Sequence, residues 1–333
     1  MKNIICTIIT ANYVHYALAL HDSFLRFDSE TEYCIFISSG EIDKTLKEIV
    51  LSRGILIYYT KDFRGNNLAQ ELEEKYSVTN QDAYRWGMKS ILILKLLEKG
   101  YNKVIYVDCD ICFFNRFDFL WDELELNNIL LSPHWRCSNP KIDLKNFRHN
   151  FLDGIFNGGF IGATKGGTAA LTYWAELCLH NCEVNRDAGY YVDQRYLDIL
   201  PTRFDNVGHI THKGCNVANW NIVDCKRVLQ KDGNVLINNS EAIIFIHFTN
   251  SLFKGAYVWN DDTLLIPYIE LYRDIVLKYH NKDIIQDFFE NGIKIQSRKE
   301  QEIFVKKKHT LLLKMKKMMY NKLKQIKHKL FLL

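Results

Sequence analysis

Three short apolar runs, each followed by a stretch with helical spacing, and a fourth run closing the series fill the first 107 residues. Residues 3–10 are apolar almost throughout, as a strand covered on both faces must be. Residues 12–27 read as a helix with Ala17, Leu18 and Leu25 inward, 32–38 as a second strand, and 42–50 as a second helix ended by Gly54. A third strand occupies 55–59, and 82–99 is a long helix that stops at Gly100. The fourth run, 103–107, is again rich in β-branched residues. This alternation specifies an α/β fold, a Rossmann-like domain with a mostly parallel central sheet and right-handed crossovers.

The fourth run ends abruptly in Asp108-Cys109-Asp110. Open α/β sheets place their ligands at the carboxyl ends of the strands. Two carboxylates one residue apart repel each other there unless a counter-charge lies between them, and a hard divalent cation suits carboxylate oxygens. The pair points to a metal, and the metal to phosphate. The competing reading is an ordinary turn, since Asp favours turns after strands.

The second half is less regular. Residues 158–164 read as a strand, 168–182 as a helix, 193–200 as a short helix stopped by Pro201, 242–247 as a buried strand ending in His247, and 264–289 as helical. Asn157 precedes two glycines, which let backbone approach a ligand closely or make a tight turn into the strand. Residues 214–221 set Asn216, Asn219 and Asn221 beside Trp220. Amides next to an indole suit sugar hydroxyls and a stacking face; a buried Trp in a polar loop reads equally well.

A chain of 333 residues holds one large α/β domain with appendages, or two domains, and four prolines with no Gly/Ser-rich tract leave no long linker. The net charge of +4 hides an asymmetry: from Ile303 onward there are ten lysines and no acid, so the body carries 33 basic against 39 acidic residues. Nine cysteines follow no disulfide framework, Cys109-x-x-Cys112 has no second pair to complete a zinc site, and no secretory signal or membrane-spanning run is evident. The expectation is a cytoplasmic protein with reduced thiols and no nucleic-acid partner.

Taken in order, Thr10-Ala11-Asn12-Tyr13, Lys89, Asp108-Cys109-Asp110, Phe156-Asn157-Gly158-Gly159, Asp193-Gln194 and His247-Phe248-Thr249 resemble the glycosyltransferases of family 8, over residues 3–255. That group includes lipooligosaccharide galactosyltransferases and glycogenin and shares the GT-A nucleotide-sugar-binding fold. The resemblance implies hexose transfer from a nucleotide sugar, UDP-linked, to a saccharide or glycolipid acceptor of a surface glycan such as lipopolysaccharide or capsule, with retention at the anomeric carbon. It implies a metal on Asp108, Asp110 and His247, and mixed carboxylate and imidazole ligation favours Mn2+ over Mg2+. Ala11, Asn12 and Tyr13 would hold base and ribose, and Asn12 alternatively caps a helix. Lys89, standing where the family has an arginine, would sit near the diphosphate as a point charge or else be a solvated helix lysine. Asn157 and Gly158 would meet sugar hydroxyls, Lys254 the diphosphate, and Asp193 or Gln194 the reacting face of an oxocarbenium-like transition state. Arg195, Asn250, and Lys254 with Gly255 depart from the family pattern.

Two other readings compete. A haloacid-dehalogenase-like phosphatase would use Asp108 and Asp110 as nucleophile and acid, but Cys112 holds a position usually Thr or Val there, and three strands come first. A non-catalytic membrane adaptor would carry a degenerate nucleotide-sugar fold. The expected organisation is a catalytic domain over 1–260, a helical extension over 261–302 and a basic amphipathic tail over 303–333. In that tail Met315, Met319, Leu323, Ile326 and Leu330 form one helical stripe among lysines, the pattern of a helix lying on an anionic membrane, here the inner face.

Overall fold

The computed structural model describes residues 2–292; the basic tail from 303 lies outside them. Strands β1 (Asn3–Thr10), β2 (Glu32–Ser39), β3 (Leu56–Tyr59), β4 (Lys103–Val107), β6 (Ile129–Pro133), β7 (Phe156–Thr164) and β8 (Val207–His209) form one seven-stranded sheet in the order β8-β6-β7-β4-β1-β2-β3. All its pairs are parallel except those of β7, which runs antiparallel to β4 and β6. The α/β fold with a mostly parallel sheet is as expected. Alternation along β1 explains why its run is apolar on both faces. Ile4, Cys6 and Ile8 join the layer of helices α3 (Asn67–Tyr76), α4 (Gln81–Glu98) and α7 (Thr168–His180), while Ile5 and Ile9 share a cluster with residues of α1 (Val14–Leu25), α2 (Lys44–Ser52) and α5 (Asp118–Leu126).

The chain leaves β1 towards β2 and β3 and returns on the other side as β4, which places the topological switch between β1 and β4. Thr10 and Asp108 lie at the carboxyl ends of those two strands. Antiparallel β7 begins where β4 ends, with Phe160 opposite Val107 and the Asp108 amide donating to Gly159 O at 2.9 Å. Asn157, Gly158 and Gly159 therefore meet the acidic pair.

Several boundaries differ from expectation. The helix expected from residue 12 begins with a 3-10 turn, Ala11–Tyr13, before α1. Pro201 does not stop its helix: Gln194–Ile199 continues into Leu200–Arg203, with Pro at a first-turn position whose missing N–H is not needed. The strand expected over 242–247 divides. Glu241–Ala242 closes a small antiparallel sheet with Val235–Ile237, while β9 (Phe245–His247) pairs antiparallel with β5 (Ile111–Phe113) outside the central sheet. The helical region after 260 is interrupted: Ile266–Val276 and Ile284–Asp287 are separate, and Leu265, Ile269, Tyr272 and Val276 pack into a third core cluster with Cys112, Val217 and Ile246.

Candidate active site

Pairing of β9 with β5 sets His247 opposite Ile111, next to Asp110, and the Phe248 amide fixes the loop by donating to Asp110 O at 2.8 Å. His247 Nε2 lies 3.1 Å from Asp110 Oδ1 and 4.0 Å from Asp108 Oδ2. One ligand atom from each of the three residues falls within 4.8 Å of the others. Burial works against charge on both Asp110 and His247, yet their mutual attraction prevails, holding the Asp110 carboxyl below its usual range and the His247 imidazole above its own. His247 Nδ1 is buried and makes no hydrogen bond among the described residues, so the ring is oriented by Nε2 on Asp110 and by packing edge-on against Trp220, 5.4 Å between centroids. A Cβ on Gly159 would stand 2.6 Å from His247 Cε1, 2.6 Å from Asn157 Oδ1 and 3.1 Å from Asp108 Oδ2. Only glycine leaves room for this arrangement.

Lys89, on α4, is 3% exposed and points into the sheet edge. Its ammonium donates to Gly158 O at 2.8 Å and lies 3.3 Å from Asp108 Oδ1 and 3.1 Å from Asp193 Oδ2. Three acceptors match three N–H donors. The solvated-lysine alternative is excluded: burial opposes its charge, but Asp108 and Asp193 outweigh burial and raise its pKa. The Tyr106 hydroxyl donates to Asp108 Oδ1 at 2.6 Å. One Asp108 oxygen thus faces Lys89 and Tyr106, and the other faces His247. Asp193 is 2% exposed, and burial raises its pKa despite Lys89.

Gln194 is held at both ends of its amide, Nε2 donating to Asp153 O at 2.9 Å and Oε1 accepting from the Gly158 amide at 3.3 Å. Asn157 Oδ1 accepts from the Gly159 amide at 3.0 Å, and its Nδ2 lies 3.2 Å from His134 Nε2. Burial and then Arg136 push the His134 pKa well down, so its Nδ1–H donates to Ile155 O and its Nε2 accepts from Asn157. Asp153 anchors Arg136 at 3.0 Å, Arg186 at 2.8 Å and His149 at 2.8 Å.

Two cavities meet at this cluster. The first, about 480 Å³, is lined by Ile8, Thr10, Tyr13, Arg85, Cys109 and Phe288 among others. The second, about 800 Å³, is lined by His134, Arg136, Asn157, Gln194, Trp220 and Trp259 among others. Trp86, Lys89, Asp108 and Thr249 line both; Asp110 faces only the first, and His247 only the second. Of the expected donor-site residues, Tyr13, Lys89 and Asp108 line the first cavity and Asn157 and Gly158 the second. Ala11 is buried, Asn12 is exposed and bonded to the Thr10 hydroxyl, and Lys254 ends the short helix Asn250–Lys254; none of these three lines either cavity. Trp86, Tyr106, His134 and Arg136 join the site without standing in any of the sequence motifs. Tyr106 alone has a signal in the sequence, since it precedes Asp108 by two residues on a strand and so shares its face.

No protein-family model matches the chain. In sequence it is similar to two uncharacterised Bacillus subtilis (strain 168) proteins. YfnF is 26% identical over 289 residues, 82% of this chain and 91% of that one. YfnD is 31% identical over 172 residues, 50% of this chain and 53% of that one. Solved structures it is similar to include glycosyltransferases. They include the galactosyltransferase LgtC in complex with donor and acceptor sugar analogues (16% identical, 83% of this chain and 95% of that one, TM-score 0.47). Others are mouse xyloside xylosyltransferase 1 (13%, 75% and 99%, TM-score 0.46) and GlyE of Streptococcus pneumoniae TIGR4 (14%, 90% and 66%, TM-score 0.48). Those activities belong to those proteins; for this chain the chemistry rests on its own residues.

Proposed function

We propose that the chain is a metal-dependent, GT-A-type retaining glycosyltransferase of the family 8 kind. It would move a hexose from a UDP-linked donor to a saccharide or glycolipid acceptor of a surface glycan. The observation that carries this reading is that the Asp108, Asp110 and His247 cluster forms the boundary between two cavities at the sheet's switch point. Group transfer needs such an arrangement, with a donor on one side, an acceptor on the other, and charge control between them.

The three converging side chains fit a divalent cation, Mn2+ in preference to Mg2+ because one donor is an imidazole nitrogen. When bound, it would supply neutralisation of the donor's diphosphate. Thr10, Tyr13 and Arg85 would bind the nucleotide, with Cys109 and Phe288 excluding water beside it. Lys89 ties the metal-binding carboxylate to the Asp193-Gln194 segment, so the two halves of the site keep one geometry. Gln194, locked by Asp153 and Gly158, presents a carbonyl oxygen suited to a short-lived oxocarbenium ion on the front face. Asp193 is committed to Lys89, which favours Gln194 over a double displacement through Asp193. Trp220, Trp259 and the polar wall of the second cavity suit a saccharide acceptor.

In this reading the catalytic unit of 1–260 is completed by the described part of the 261–302 extension, whose Phe288 lines the nucleotide cavity, and the tail 303–333 would hold the enzyme to the inner face of an anionic membrane. Among the described residues, no helix is long and apolar enough to cross a membrane. Nothing observed favours the phosphatase or adaptor readings. The test is a panel of UDP-sugars with MnCl2, with NMR of the first-formed product. An α-linked donor is expected to give hydrolysis or transfer with an α product; a β product, or no turnover of any UDP-sugar, refutes the assignment.

A further inference from the structure

Helix α6 (Leu144–Leu152) is built inside out. None of its residues is buried, and the side it turns to the protein is polar. Asn146 accepts from the Cys137 amide at 2.9 Å and donates to Trp220 O at 2.9 Å; Asn150 donates to Cys137 O at 3.3 Å; His149 contacts Asp153 at 2.8 Å. The outward stripe, at helical steps of three and four, is Leu144, Phe147, Arg148 and Phe151. Leu144 is 49% and Phe151 64% exposed, and Ile142, Leu152 and Ile155 beside them are exposed as well. A surface helix ordinarily buries such a stripe, and a contiguous exposed apolar patch marks a surface that meets something.

Charge selects what it meets. Lys141, Lys145 and Arg148 stand exposed among the apolar side chains. Of the two acids in the segment, Asp143 caps the helix through the Asn146 amide on the side that lines the larger cavity, and Asp153 is buried under Arg136 and Arg186. A second copy of this chain, meeting the patch about a twofold axis, would set these three cations against themselves. Apolar side chains interleaved with three exposed cations instead match the interface of a bilayer with anionic headgroups. The patch also adjoins the larger cavity, whose lining includes Lys145, Asn146 and His149 from this same helix and the exposed Val184.

We infer that the α6 face is a membrane-docking surface that seats on anionic lipid and holds the mouth of the larger cavity at the headgroup level. Only a lipid-linked acceptor resting there depends on the glycosyl-transfer reading; the docking contact is measurable without turnover. The test uses the full chain carrying one maleimide fluorophore at Phe151→Cys, the unsubstituted chain giving the background from native thiols. It is mixed with vesicles of phosphatidylglycerol and phosphatidylcholine containing brominated acyl chains. Quenching is expected for the probe at 151 and not for the same probe at Val78→Cys, a 91% exposed site on the loop between α3 and α4. Leu144→Glu with Phe151→Glu is expected to weaken vesicle binding while leaving Mn2+-dependent UDP binding unchanged. No quenching at 151, equal quenching at both sites, or a concentration-dependent dimer that the double substitution dissociates would each overturn the inference.

Discussion

Replacing Lys89 by Met removes the ammonium while keeping most of the buried stem, and the consequence falls on Asp193. Asp108 is 30% exposed and keeps the Tyr106 hydroxyl, so water replaces what it loses. Asp193 is 2% exposed and its Oδ2 has no partner among the described residues to replace Lys89. Removing one member of a buried ion pair costs about 3–5 kcal/mol. A ceiling follows from the alternative open to the carboxyl, which is to take up a proton. Against an unfolded pKa of about 3.9, staying neutral costs roughly 4 kcal/mol at pH 7 and about 1.5 kcal/mol at pH 5. The sign is fixed: a carboxyl whose folded pKa is raised destabilises increasingly as pH climbs above its unfolded value. Burial already pushes Asp193 in that direction with Lys89 present. Urea unfolding followed by circular dichroism should therefore show a deficit near the upper figure at pH 7 that shrinks towards the lower at pH 5. Lys89→Met combined with Asp193→Asn should recover most of the stability at both pH values without recovering turnover. A loss independent of pH, or a double variant as unstable as the single, would refute the pairing argument.

Asp108→Ala and Asp110→Ala should each abolish turnover and Mn2+-stimulated UDP binding with the circular dichroism spectrum unchanged; activity within about tenfold of the parent in either would end the metal-centre proposal. Gly159→Ala forces a Cβ to within 2.6 Å of both His247 and Asn157, and should cost about 1–3 kcal/mol of stability and weaken Mn2+ binding by about 10–100-fold in calorimetry. His15 and His21 are pushed down to about 4, His15 by burial and then His280, His21 by burial and then Arg53. Being depressed bases, they contribute stability present above about pH 6.5 and lost as pH falls towards 4, on the order of 2 kcal/mol each. Imidazole titrations near 6.5 by NMR would contradict this.

The sequence by itself determined the winding of the first 107 residues. The β-branched runs of β1, β2 and β4 are apolar on both faces because helices cover both sides of a parallel sheet, and that pattern is local to each run. It also determined that Asp108 and Asp110 stand at a strand's carboxyl end, since the end of an apolar run is visible in one dimension. Tertiary structure alone decided what surrounds them. His247 comes to Asp110 through the pairing of β9 with β5, a contact between residues more than 100 apart that a three-residue strand cannot announce. Lys89 reads equally as solvated or buried in one dimension, because a helix pattern gives a face but not the depth at which that face meets another strand's end; the antiparallel return of β7 settled it by bringing Gly158 O beneath the ammonium. His134 and Arg136 gave no sequence signal for the same reason, their partners Asn157 and Asp153 being supplied by other segments. The outward apolar stripe of α6 was invisible too, since periodicity defines a stripe and only the packed molecule says which side of it faces water.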